Sequence, residues 1–414
     1  MSATVRWVVV ALLTVHGLIH LLGTTKGWGW AKVEQLKQPI SPTLGFAWLV
    51  AAVLVLTAAA MIAARAPSWW WAVAVVAAVA SQAVIITSWS DAKAGTAANV
   101  VLVLAAALGF AALGPGSFAA QWDHRVQAAL TAAPPAGPVV TEEDLVSLPA
   151  PLATYLRLSG ALGNPRVTSF AATVHGRIRS GPETPWMSFT GRQVNTLGPN
   201  PQRLFYLDAV RGGLPVTVLH DYHDATATMR GKVLSLFPML DASGPAMDQS
   251  ETVTVFNDMV VFAPAALLDA DVTWTQLDAR TVRGRFTNGM QTVTAHLMFA
   301  ADGDLVTFTS TDRSRASLDG TSFTRLPWDT PIDGYRTFGD RRVATSGEAR
   351  WDAPEPDGQF AYIEFHVGNI TYNPPPNRGL PQLTAAGTVG ARGRSASPAG
   401  ATVGTPTSAG SGRR

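Results

Sequence analysis

Four stretches near the start of the chain, 7–23, 44–64, 69–88 and 97–113, contain no Asp, Glu, Lys or Arg and are apolar on every helical face. Each has close to the roughly 20 residues a helix needs to cross hydrocarbon. They predict a four-helix transmembrane anchor over residues 1–116. The first span resembles a signal peptide only superficially: Arg6 alone precedes it, no small-residue cleavage pattern follows, and three more spans come after it, so it is expected to stay attached. Trp28, Trp30, Trp48, Trp69, Trp70, Trp71, Trp89 and Trp122 fall at or near span ends, where amphipathic rings anchor among headgroups. Four crossings of the membrane put the N-terminus and the remainder of the chain on one side. The flanking cations, Arg6, Arg65 and Arg125 against Lys26, Lys32, Lys37 and Lys93, balance and leave that side undecided.

Beyond Gly116 the pattern changes. FAAQWDHRVQAAL, from Phe118, predicts an amphipathic helix lying on the membrane surface, and AAPPAGPVV ends it in a Pro-rich linker to residue 140. Thr141 followed by Glu142, Glu143 and Asp144 signals a helix start, stopped by Pro149; Pro151 opens a second short helix. From Val167 short period-two runs alternate with turn residues, predicting strands at 167–179, 186–195, 203–210, 215–222, 272–279, 281–288, 291–300, 304–311, 334–344 and 359–372. Tight hairpins are expected at Ala301–Asp304 and Thr287–Gly289, and connections this short leave no room for parallel crossovers. One helix interrupts the meander at about 249–263: Thr252, Val255, Phe256, Met259, Val260 and Ala263 recur at helical spacing, with Glu251, Thr254, Asn257 and Asp258 on the opposite face. The predicted fold is thus a four-helix transmembrane region plus an α+β domain over 141–375, a curved, mostly antiparallel, half-barrel-like sheet with one packed helix. From 376 the chain is too poor in large apolar residues to fold and is expected to be disordered.

Charge refines this division. The net charge of +2 hides a domain with 20 basic and 27 acidic residues over 120–375, a field of the wrong sign for nucleic acid. With no cysteine at all, thiolate nucleophiles, zinc–thiolate sites and iron–sulfur clusters are excluded.

Candidate chemistry is sparse. No GxSxG, HExxH, phosphate loop or GxGxxG is present, and no motif names a cofactor. His16 and His20 share one face of the first span, an intramembrane polar pair expected to be hydrogen-bonded within the bundle, with a haem or metal site as the sharper alternative. The run from His220 to Asp224 offers His220 and His223 as metal ligands, against a polar loop closing a strand. Asp248 and Glu251 form either a carboxylate pair for acid–base work or the start of a helix, in which Asp248 or Ser250 is the cap. Arg313, Trp328, Tyr335, Trp351 and Tyr362 are candidates to line a ligand cavity, against equal membership of a packed β core.

LPAPLATYLRLSGALG, PQRLFYLDAV, MDQSETVTVFNDMVVFAPAALLD, LPWDTPIDGYRTFGDRRVATSGEARW and FAYIEFHVGNITYN, spanning about 146–373, resemble an uncharacterised bacterial family of membrane-anchored proteins with a domain of unknown function. That resemblance implies no catalytic or binding residues. More loosely, the long meander with one inserted helix and the late hairpin YRTFGDRR is similar to the half-barrel carriers that move lipoproteins and lipids in bacterial envelopes. The expected partners are therefore the lipid bilayer and a lipid or other apolar small molecule. A membrane-bound hydrolase or metal enzyme, or a protein-interaction module, is the alternative.

Overall fold

The computed structural model describes residues 3–65 and 67–376; the tail expected to be disordered lies, beyond its first residue, outside them. The N-terminal part folds into α1 (Ala3–Gly27), α2 (Pro42–Ala63), α3 (Trp70–Thr87), the single turn α4 (Trp89–Ala92) and α5 (Gly95–Leu113). Four of these helices, α1, α2, α3 and α5, are long and apolar enough to cross a membrane. Small residues sit where they pack: Ala51, Ala58, Ala74, Ala77 and Ala106 are buried, and a side chain on Gly27 would collide with the backbone of Gly45. Their outward faces are equally apolar, with Val8, Val15, Ile19, Val53, Val79, Ile86 and Leu104 all exposed. A bundle whose outward faces are apolar is compatible with a hydrocarbon solvent.

The helix α6 (Phe118–Ala132) follows, then a 3₁₀ turn at Glu143–Leu145 and α7 (Ala150–Leu158). Thr141 N–H bonds the Asp144 carboxylate at 2.8 Å, the local device that the acidic run after Thr141 foreshadows. A first meander comprises β1 (Ser169–Ile178), β2 (Met187–Thr196), β3 (Gln202–Arg211), β4 (Leu214–His223), β5 (Thr226–Val233) and β6 (Phe237–Ser243). The helix α8 (Pro245–Phe262) then leads to β7 (Val272–Gln276), β8 (Thr281–Asn288), β9 (Gln291–Phe299), β10 (Leu305–Ser310), the small hairpin β11 (Ser314–Ala316) and β12 (Phe323–Arg325), and finally β13 (Trp328–Phe338), β14 (Arg341–Asp352) and β15 (Gln359–Tyr372).

All but the small hairpin join one 13-stranded antiparallel sheet in the order β6-β5-β4-β3-β2-β1-β15-β14-β13-β10-β9-β8-β7. The last strand pairs with the first, so the two meanders fuse at β1–β15 and leave β6 and β7 as free edges. The sheet does not close. Its two edges are consecutive along the chain except for α8, and that helix lies in the concavity between them, making contacts with β5, β6, β9, β10 and β14. Register shifts at Thr173/Val174, Ile332/Gly334 and Ala349/Arg350 supply bulges of the kind that curve a sheet.

Three local expectations are revised. The segment 334–344 is not one strand but the meeting of β13 and β14 at a turn, where Gly339 takes φ +59°. Both strands are long and half polar, which hid their period. The strands β5 and β6 were not anticipated, because their apolar positions are few and interrupted by Gly231 and Pro238. The helix expected on a membrane surface instead turns Phe118, Trp122, Val126 and Leu130 onto Ala171, Val194, Leu204, Tyr206 and Leu219 of β1–β4. An apolar stripe needs an apolar partner, and the outer face of the sheet is nearer than any lipid.

Candidate functional site

Because side chains alternate along a strand, β2, β3 and β4 send one set to α6 and the other to α8. On the inner set, Arg203, Phe205, Leu207 and Ala209 follow one another along β3, flanked by Gln193 and Phe189 on β2 and by His220, Val218 and Val216 on β4. These residues, with Met187, Ile178, Met239 and Phe365, wall a cavity of about 350 Å³ between the sheet and α8. One face of α8 closes it: Met247, Glu251, Thr254, Asn257, Asp258 and Phe262 recur at helical spacing and all line it, while Phe256, Met259 and Val260 pack away from it into the main core. The polar face of this helix therefore looks not at solvent but at the cavity.

The cavity is polar at the Arg203 level and apolar toward Ala209. Arg203 is buried, donates from Nε to Asp258 Oδ2 at 2.7 Å, and lies 3.6 Å from Glu251. The same Asp258 oxygen accepts from Gln193 at 2.7 Å and Asn195 at 3.0 Å. Arg313, reaching in from the loop before β11, donates to Glu251 Oε1 at 3.3 Å and to the Tyr362 hydroxyl at 3.1 Å, and lies over the rings of Trp328 and Trp351. Arg203 Nη1 donates to His220 Nδ1 at 3.2 Å, which assigns the imidazole proton to Nε2. That Nε2 stands 3.1 Å from Glu251 Oε2 without the alignment of a hydrogen bond. Among the described residues, three buried polar atoms at this level, Glu251 Oε2, His220 Nε2 and Arg313 Nε, have no aligned hydrogen-bond partner. Each atom so left costs about 1–3 kcal/mol.

Electrostatics fix the charge states. Burial favours a neutral Glu251, but His220, Arg313 and Arg203, aided by the Thr254 hydroxyl, outweigh it and hold the carboxyl below the ordinary range. Burial depresses His220 to about 4 against the pull of Glu251, with Arg203 and Arg313 adding to the depression, so the imidazole is neutral at neutral pH. Burial pushes the Asp258 carboxyl up, opposed chiefly by Arg203 and the Asn195 amide.

Of the residues singled out in the sequence, the fold brings Glu251, Arg313, Trp328, Trp351, Tyr362 and His220 to this cavity. Tyr335 stays outside it, its hydroxyl donating to the Leu305 carbonyl at 2.9 Å. Asp248 accepts the Ala227 N–H at 2.7 Å and is not paired with Glu251 for acid–base work. Neither Asp248 nor Ser250 caps the helix: α8 starts at Pro245 after Gly244, and Ser250 accepts the Ser314 N–H at 2.8 Å. His220 and His223 are three apart on one strand and so point to opposite faces. His223 meets Asp221, which also pairs with Arg125 of α6 on the outer face. The two imidazoles share no metal geometry, and among the described residues no group of three or more His, Asp or Glu is placed to hold an ion. In the bundle, His16 and His20 both reach the Ser81 hydroxyl, at 3.1 and 2.9 Å, and His16 also reaches Asn99, which donates to Gln82. Arg203, Gln193 and Asn195 were not anticipated. They are scattered among the other polar residues of β2 and β3, and their only signal was their parity, which puts them on the sheet face that also carries Phe205.

Residues 138–365 match DUF6544, a family of unknown function. No curated protein matches the chain. Among solved structures, an outer membrane lipoprotein-sorting protein domain from Vibrio parahaemolyticus is 13% identical with a TM-score of 0.30, covering 52% of this chain and 87% of its own. A DUF1329 family protein from Desulfovibrio piger is 11% identical with a TM-score of 0.32, covering 54% and 92%. A LolA superfamily protein from Nitrosomonas europaea is 10% identical with a TM-score of 0.29, covering 53% and 91%.

Proposed function

The chain belongs to the DUF6544 family, whose function is unknown, and from its own geometry we propose that it is a multi-pass membrane protein that holds an amphiphilic ligand in the cavity between its sheet and α8. The observation that carries this reading is the cavity itself. It lies within the range of about 300–1,000 Å³ usual for small-molecule sites, is walled mainly by apolar side chains and ends in a few convergent polar groups. Four helices long and apolar enough to cross a membrane support insertion in a bilayer and, with an even number of crossings, an N-terminus and a β-rich domain on one side. A tethered domain of this kind draws its ligand from the surface to which it is held.

Photo-crosslinking tests the proposal. Full-length protein in lipid nanodiscs is irradiated with a single-chain amphiphile carrying a diazirine near the chain terminus, and labelled peptides are mapped by mass spectrometry. Labels are expected on β2–β4 and α8 and are expected to vanish there in Val218→Trp, which fills the cavity. Labelling confined to α1–α5 would refute ligand holding by the sheet domain.

A further inference from the structure

We propose that the polar end of the cavity recognises a single uncharged hydroxyl group, so that the ligand is a long-chain alcohol or a monoacylglycerol and not a fatty acid. This rests on the ligand-holding reading above. The three unpartnered atoms comprise one acceptor, the ionised Glu251 Oε2, and two donors, His220 Nε2 and Arg313 Nε. A hydroxyl offers one donor and two acceptor lone pairs, which matches that set; it donates to Glu251 and accepts from His220 and Arg313. A carboxylate has no proton to give and would set a second negative charge against Glu251. An ammonium has no lone pair and would leave both donors unpaired.

Formal charge agrees. At the polar end the two carboxylates Glu251 and Asp258 balance the two guanidiniums Arg203 and Arg313, and His220 is neutral, so no excess charge sits where the head group would bind; Arg179 and Arg315 line the cavity elsewhere, Arg315 paired with Asp357. Glu251 is 1% exposed and His220 7%, so both sit at the closed end of the cavity, held against Arg203 and Arg313. Along β3 the apolar wall from Arg203 to Ala209 spans about 20 Å at the usual rise per residue, which gives the chain its track away from the polar end.

The test is a competition in nanodiscs at mildly alkaline pH, where the acid is ionised. Photoactivatable hexadecanol labels the cavity of the full-length protein while unlabelled hexadecanol, hexadecanoic acid or hexadecylamine of the same chain length competes. The alcohol is expected to compete at least tenfold better than either ion. In Glu251→Gln, where the charge is gone, the discrimination against the acid is expected to fall below threefold. Equal or better competition by the acid or the amine in the wild-type protein, with labels still in the cavity, overturns the hydroxyl assignment alone. Absence of cavity labelling by the alcohol and by an acid probe alike overturns the ligand-holding reading beneath it. The wild-type comparison decides the matter even where Glu251→Gln does not fold.

Discussion

Replacing Arg203 with Met is the sharpest test of the buried cluster. Arg203 Nε bonds Asp258 Oδ2 at 2.7 Å, and its Nη1 serves His220 at 3.2 Å with Glu251 3.6 Å away. Met has nearly the same reach but no charge, so the change leaves Asp258 with only its two neutral amide donors in a buried site. Removing one partner of a buried ion pair costs about 3–5 kcal/mol. With a urea dependence of about 2 kcal/mol/M, a loss of 4 kcal/mol moves the unfolding midpoint down by about 2 M. The chain has no cysteine, so one introduced at Val293, a fully buried position on β9, reports opening of this domain alone in the full-length protein in micelles, by its reaction with a thiol reagent. The penalty has a pH signature. Asp258 already sits above its ordinary value, and Arg203 is the chief group opposing that rise. Without Arg203 the folded state takes up a proton more readily than the unfolded chain does, so the gap between variant and wild type narrows as pH falls from about 8 to about 5. Arg203→Met combined with Asp258→Asn should cost less than the sum of the two by about 0.5–3 kcal/mol. A penalty under 1 kcal/mol, or one indifferent to pH, refutes the picture of a buried, charge-balanced cluster.

The depressed His220 should make wild-type stability fall as pH drops from its ordinary value of 6.5 toward about 4, because the unfolded chain binds a proton there and the folded one does not; the loss is on the order of 3 kcal/mol, and urea midpoints across that window should flatten in His220→Gln. Phe256→Ala empties the centre of an aromatic group formed with Trp274, Phe286 and Phe308 at 5.2 to 5.9 Å and should cost about 3–5 kcal/mol in the same assay; a loss below 1 kcal/mol would mean α8 is not anchored by that face. In the bundle, Asn99→Leu breaks the links to His16 and Gln82 and should lower detergent resistance by about 1–2 kcal/mol without touching cavity labelling; a simultaneous loss of labelling would show that bundle and sheet domain are coupled.

Legibility followed the range of the forces. The four apolar helices were plain in the sequence because bilayer compatibility is a property of each segment by itself, and the short turns at Gly289 and Gly303 were plain because positive φ is a local demand met by glycine. The strands with clean alternation were read; β5, β6 and the β13–β14 turn, whose faces are half polar, were not. His220 and His223 looked like a pair by proximity in sequence, yet a spacing of three along a strand already places them on opposite faces. The site was read in part, through Glu251, Arg313 and the aromatic residues late in the chain.

What the sequence by itself determined is therefore the kind of most elements: apolar spans, the cleanly alternating strands, and one helix at about 249–263 with a polar face, found at Pro245–Phe262. Only the tertiary structure decided where that polar face looks. Taken alone, Glu251, Thr254, Asn257 and Asp258 read as a solvent-facing stripe. The pairing of β1 with β15, more than 180 residues apart, curves the sheet around the helix and sets Arg203, His220 and Arg313 against the stripe. A buried carboxylate is tolerable only with partners from distant strands, and no local pattern can announce a partner that arrives through sheet topology.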